Sequence, residues 1–121
     1  MMFNEVFKEV AYDGAAEPVG KRIELQEMSD FLVDSRRKNG GFQLLFRFEN
    51  DYGASVIKTP YSYGGVEDLW ELAVIYYGKA TDPSDYELCY DTPITDDVIG
   101  WVDDPHVVGY LREIKDLPPR K

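Results

Sequence analysis

The chain contains a single cysteine, Cys89, and a single histidine, His106. One cysteine excludes an internal disulfide, and one histidine excludes a two-histidine metal site within the chain. No apolar run approaches the roughly 20 residues that span a bilayer. The opening MMFNEVFKEV lacks the basic and apolar regions of a secretory signal. There is no Gly-x-Ser-x-Gly nucleophile elbow and no phosphate loop, and Gly64-Gly65 lacks the further glycines of a dinucleotide loop. No catalytic residue, cofactor or metal is therefore assigned, and the expectation is a protein that is not an enzyme.

Basic residues are the scarcest group in the second half. The 121 residues carry a net charge of −10, which makes the whole chain a poor binder of nucleic acid or anionic membrane. Residues 1–58 hold eight Lys/Arg and ten Asp/Glu, a net of −2, whereas residues 59–121 hold five and thirteen, a net of −8. Between Lys79 and Arg112 there is no basic residue, yet Asp82, Asp85, Glu87, Asp91, Asp96, Asp97, Asp103 and Asp104 all fall there. One reading is a solvated acidic surface with Asp in turns, where Asp is favoured. The other is a surface that steers towards a basic partner. Arg36, Arg37 and Lys38 cluster just before the Asn39-Gly40-Gly41 turn signal and fit a loop tip.

The length suits one domain, and 44% hydrophobic with 14% aromatic residues can fill a core. Phe3, Val6, Phe7 and Val10 follow a helical stripe, and DGAAEPVG after them is loop-like. Residues 23–35 fit a helix, but FLVDSRRK at their end also fits a strand running into the Asn39-Gly40-Gly41 turn. Phe42, Leu44, Phe46 and Phe48 alternate with Gln43, Leu45 and Arg47, which predicts a strand paired in a hairpin with residues 53–60. LWELAVIYY at 69–77 and YELCYD at 86–91 predict further strands. Residues 92–101 read as a loop feeding a short helical turn, with Val98, Ile99 and Trp101 buried. Asp103 or Asp104 can cap a last helix that has Pro105 in its first turn and Val107, Val108, Leu111 and Ile114 as its apolar stripe. Strands followed by a helix indicate a single α+β domain, an antiparallel sheet of three to five strands with a C-terminal helix packed on it.

Individual residues with chemical potential carry little. His106 is expected to be exposed at a helix N-terminus, which disfavours the imidazolium. Cys89 reads as a buried, inert thiol with nothing beside it to lower its pKa. Asp91, Asp96 and Asp97 match no calcium loop, and adjacent Asp96 and Asp97 diverge. They support an alternative reading, a small-molecule or metal-ion site completed by Tyr63 or Trp70. Glu67, Asp68 and Glu71 form a second acidic patch, and Glu67 and Glu71 would share a face of a strand unless solvated or partnered. Seven tyrosines, Tyr52, Tyr61, Tyr63, Tyr76, Tyr77, Tyr86 and Tyr90, fall near strand ends among these acids. They suit either sheet packing or a tyrosine-and-aspartate protein interface.

FRFENDYGASVIKTPYSYGGVEDLWELAVI (46–75) and YDTPITDDVIGWVDDPHVVGYLREI (90–114) resemble a group of small uncharacterised proteins encoded by bacteriophages and prophages. The resemblance covers residues 28–117. Residues 1–27 look like an N-terminal extension, with Met28 resembling a start, and the loop from Tyr77 to Asp85 looks longer than usual. The group carries no assigned activity. The resemblance implies a phage accessory protein acting in the host cytoplasm on a host protein. With the charge layout, it makes the chain a candidate inhibitor of a basic nucleic-acid-binding protein such as a defence effector, by polyanion mimicry: a DNA-mimic or anti-CRISPR candidate. The residues expected to meet the partner are Asp82, Asp85, Glu87, Asp91, Asp96, Asp97, Asp103 and Asp104, with Tyr63 and Tyr86. A virion or assembly role is the remaining alternative.

Overall fold

Three consecutive extended segments, buried on both faces over most of their length, build the centre of the molecule, with successive side chains on opposite sides. A computed structural model of the chain describes residues 19–120. The stripe of Phe3, Val6, Phe7 and Val10, most of the DGAAEPVG loop, and the bulk of the expected N-terminal extension lie outside these residues. Strands β1 (Leu32–Lys38), β2 (Gly41–Arg47), β3 (Tyr52–Lys58), β4 (Trp70–Tyr76), β5 (Glu87–Leu88) and β6 (Ile99–Val102) form one antiparallel sheet, followed by helix α1 (Asp104–Lys115). The fold is α+β.

Five strands lie side by side in the order β1-β2-β3-β4-β5. The short β6 pairs with β4 as well, so β4's outer edge is divided: Ile75 and Tyr76 meet β5, and Trp70 and Leu72 meet β6. That division is why YELCYD contributes only Glu87 and Leu88 as a strand, although the Cys89 amide still donates to the Val74 carbonyl at 2.9 Å. The two readings of residues 23–35 each hold for part of the segment. A 3-10 helix spans Val19–Phe31, and β1 starts at the next residue. The charged edge strand β1, with Arg36, Arg37 and Lys38, discourages pairing with another chain.

Phe42, Leu44 and Phe46 of β2, Ala54 and Val56 of β3, and Trp70, Leu72 and Val74 of β4 share one sheet face. Val107, Val108, Leu111 and Ile114 of α1 and Leu25 and Met28 of the 3-10 helix close that face. Leu25 is fully buried although it precedes Met28, so residues of the expected N-terminal extension take part in the packed core. On the opposite face Leu45, Ile75 and Tyr77 form a smaller cluster covered by Tyr86.

The tight turns follow the sequence signals. Asn39 and Gly40 both take positive φ between the paired residues Lys38 and Gly41, as a two-residue type I′ hairpin requires. Beyond the strands the Phe48 amide still donates to the Tyr52 carbonyl at 2.8 Å, which leaves a three-residue loop, residues 49–51, that ends on Asp51 at φ 67°. Its buried Asn50 reaches away from the sheet and donates to the Ile114, Lys115 and Leu117 carbonyls at 2.9, 3.2 and 2.9 Å. A turn residue between two strands therefore caps the C-terminus of α1.

At the other end of α1, Asp103 is the N-cap, and its carboxylate accepts from the His106 amide at 3.0 Å. Pro105 lies in the first turn, as its fixed φ favours. The His106 ring turns back so that Nδ1 lies 2.6 Å from the same Asp103 oxygen. These bonds, the side-chain one first, hold the Asp103 carboxyl below the usual carboxylate range. A depressed carboxyl stabilises the fold above its unfolded pKa and loses that contribution as pH falls through the folded value. Asp103→Ala is accordingly expected to cost about 1 kcal/mol at neutral pH. In urea titrations repeated down the pH scale, the difference from wild type should close below about pH 4, near the ordinary aspartate value. A difference that persists unchanged at low pH would show that the carboxylate is not the source.

Candidate functional site

The segment between β3 and β4 is a chain of short turns. Thr59 Oγ1 accepts from the Tyr61 and Ser62 amides at 3.1 and 3.0 Å, and Ser62 Oγ accepts from the Thr59 amide at 2.9 Å. These local bonds divert the backbone from the sheet ladder and leave Tyr61 outside. Gly64 follows at φ 93°, then a 3-10 turn over Gly65–Glu67, then β4.

Strand β6 approaches this segment from the far side of β4. Trp70 pairs with Val102 and Leu72 with Ile99, so Gly100 and Trp101 together face the single residue Glu71. This is a β-bulge, a device that re-aims a side chain. Trp101 sits at φ 54°. For a bulky side chain the left-handed region is an outlier that costs on the order of 1–3 kcal/mol.

The bulge presents the indole outward against Tyr63. The two rings stack with centroids 5.5 Å apart and planes inclined by 23°. Three hydrogen bonds hold the pair in place. The Trp101 amide donates to the Tyr63 carbonyl at 3.1 Å, the indole Nε1 to Glu67 Oε1 at 3.0 Å, and the Tyr63 amide to Glu71 Oε1 at 2.8 Å. Yet Trp101 is 58% and Tyr63 56% exposed. Glycine is needed twice for this approach. A side chain on Gly100 would run into Tyr63 Cβ, and one on Gly64 would lie 2.9 Å from Trp101 Cα.

The burial expected for Trp101 is thus overturned, and Val98 and Ile99 are only half-buried. Residues 99–102 form a bulged strand rather than a helical turn, and the bulge turns the indole away from the core. The sequence hint was Gly100 itself, since glycine in a strand marks a bulge or a close backbone approach. Glu67 and Glu71 do not share a strand face: Glu67 belongs to the 3-10 turn, and each carboxylate accepts a bond from the aromatic pair.

The acids expected to meet a partner divide by role. Asp82 accepts from the Ser84 amide at 2.8 Å, a turn-forming bond, and Asp97 accepts from the adjacent Val98 amide at 2.7 Å. Glu87 and Asp91 lie 3.1 and 3.8 Å from the Arg120 guanidinium, which returns along β5. Asp85 and Asp96 are exposed, and Asp103 caps α1. Asp104 is buried and accepts from Trp70 Nε1 at 2.7 Å, so it belongs to the core rather than to a surface. Tyr86 is half-buried too: it packs edge-on to Tyr77 at 5.9 Å, and its hydroxyl accepts from buried Gln43 at 3.2 Å. Of the two tyrosines, only Tyr63 faces outward.

The alternative small-ligand site loses Trp70, which is fully buried under Lys58. Among the described residues no three His, Cys, Asp or Glu side chains converge as a metal-holding group. Cys89 is buried as expected, but it has a cation beside it, Arg120 at 3.3 Å. Burial outweighs that cation and pushes the thiol's pKa up, which leaves it unreactive. Among the described residues no helix is long and apolar enough to cross a membrane. Comparison with family models, with curated proteins and with solved structures finds no match.

Proposed function

We propose that this chain is a non-enzymatic acidic binding protein whose partner is a basic, nucleic-acid-binding host protein. It would occupy the partner's polyanion groove, in the phage-accessory setting that the resemblance implies. The observation that carries the reading is the stretch between Lys79 and Arg112, which has eight acidic residues and no basic one. Five of the eight, Asp82, Asp85, Asp96, Asp97 and Asp103, are exposed and, among the described residues, form no ion pair with Arg or Lys. A groove built of Lys and Arg to hold phosphates accepts carboxylates by the same attraction. Screening sets the sensitivity of such a contact, because the Debye length shrinks from about 10 Å at 0.1 M salt to about 3 Å at 1 M.

Affinity capture from nuclease-treated bacterial lysate tests this. The wild-type chain is compared with a variant carrying Asp82→Asn, Asp85→Asn, Asp96→Asn and Asp97→Asn. The expected result is a basic nucleic-acid-binding protein retained at low salt by wild type, released at high salt, and retained poorly by the variant. A partner held equally by both chains at both salts would sink the electrostatic reading.

A further inference from the structure

Resting on that reading, we infer that the Tyr63–Trp101 pair is the seat for an arginine side chain of the basic partner. The pair is built rather than incidental. Trp101 is held at a positive φ by a bulge, and three hydrogen bonds fix the two residues to each other and to Glu67 and Glu71. A hydrophobic core gains nothing from this, since more than half of each side chain remains in solvent. Tyr61 and Val66, at 83% and 80% exposure, extend the apolar surface along the same turn segment. Large aromatic side chains held rigid and exposed are the usual anchors of protein interfaces, because little conformational freedom is lost on docking.

Charge complementarity selects the occupant. The groups bordering the rings are carboxylates, Glu67 and Glu71, and each uses one oxygen internally, leaving acceptor capacity for an outside donor. The nearby cation, Lys58, is buried, pointing at the Trp70 ring and bonded to Asp68 at 2.8 Å. A planar guanidinium can lie on an indole face and donate in its own plane to a carboxylate at the ring edge. Trp is the best aromatic partner for a cation, and Arg stacks where Lys does not.

The chain has two tryptophans, and Trp70 is buried, so the solvent-sensitive part of the emission belongs to Trp101. The probes are a nine-residue arginine peptide and a lysine peptide of equal length. The arginine peptide is expected to shift or quench the emission and, by calorimetry, to bind about tenfold more tightly than the lysine peptide. Trp101→Gly should abolish that preference while leaving the melting midpoint close to wild type, because glycine takes φ 54° without strain. Glu67→Gln, which keeps an acceptor for the indole but removes the charge, should weaken the arginine peptide several-fold. Salt-dependent binding of both peptides with equal affinity, or a preference that survives Trp101→Gly, overturns the arginine seat and leaves the basic-partner reading standing. Failure of both peptides to bind at low salt overturns the seat and the basic-partner reading together. Emission that depends on protein concentration without peptide would assign the pair to a second copy of the chain and overturn the seat.

Discussion

Asn50→Asp is expected to destabilise the protein by about 3–5 kcal/mol at neutral pH, the range for a buried charge left without its counterpart. The change is nearly isosteric, so the effect is chemical. Asn50 uses both ends of its amide: the nitrogen donates to three carbonyls at the end of α1, and Oδ1 accepts from the Tyr52 amide at 3.0 Å. Three acceptors on one side and a donor on the other leave a single orientation for the amide. A carboxylate retains the second role and inverts the first. It sets a negative oxygen about 3 Å from three carbonyl oxygens, at the negative end of the helix dipole.

Urea unfolding with an unchanged m-value would measure the loss. The pH dependence separates mechanisms. The site favours the protonated form of the introduced carboxyl, so its folded pKa lies above its unfolded value of about 3.9. The deficit therefore grows as pH rises from there and levels off above the folded pKa. Recovery towards wild type at low pH is expected, because a protonated carboxyl regains a donor. Asn50→Leu should lose about 2–3 kcal/mol, the desolvation cost of the stranded carbonyls, with no such pH dependence. A loss under about 1 kcal/mol for both variants would mean that the hairpin tip does not cap the helix.

That cap shows where sequence reasoning stops. Alternation identified the faces of β2, because a half-buried strand writes its two faces directly into the residue order, whereas β-branched and aromatic content marked β3 and β4 as strands without giving their faces. Pro105, the Asp before it and the stripe from Val107 to Ile114 announced α1 by the same local logic. Asn50 instead reads as an ordinary turn residue, since its partners lie more than sixty positions away and no local rule reports them. Asp104 reads as one more surface acid because nothing nearby in sequence reveals Trp70. The candidate site was legible only as ingredients. Tyr63 was singled out, but the residue that completes it was placed in the core, because helical spacing in residues 98–102 groups Trp101 with Val98. A bulge breaks both periods, and periodicity has no signature for it beyond the glycine.

Trp70→Ala should cost about 3–5 kcal/mol, the range for truncating a large buried aromatic. Of a total of roughly 5–15 kcal/mol for a domain of this kind, that is a large fraction. Three contacts converge on the indole. Phe42 meets it edge-on at 5.8 Å, the Lys58 ammonium lies 4.4 Å from its centre, and its N–H donates to Asp104 at 2.7 Å. The last bond joins the first residue of β4 to the first turn of α1, where a carboxylate is also favoured by the helix dipole. Trp70→Phe keeps most of the apolar volume and removes the N–H, so its cost should be smaller, about 1–3 kcal/mol. A double-mutant cycle of Trp70→Phe with Asp104→Ala, which removes the acceptor, should give a coupling energy of about 1 kcal/mol or more. Coupling near zero would mean that the Trp70–Asp104 bond adds nothing to the contact between sheet and helix. Trp70→Phe also leaves Trp101 as the sole tryptophan. Its emission maximum should then lie at the wavelength of a hydrated indole, and a maximum typical of a buried one would contradict the bulge that turns Trp101 outward.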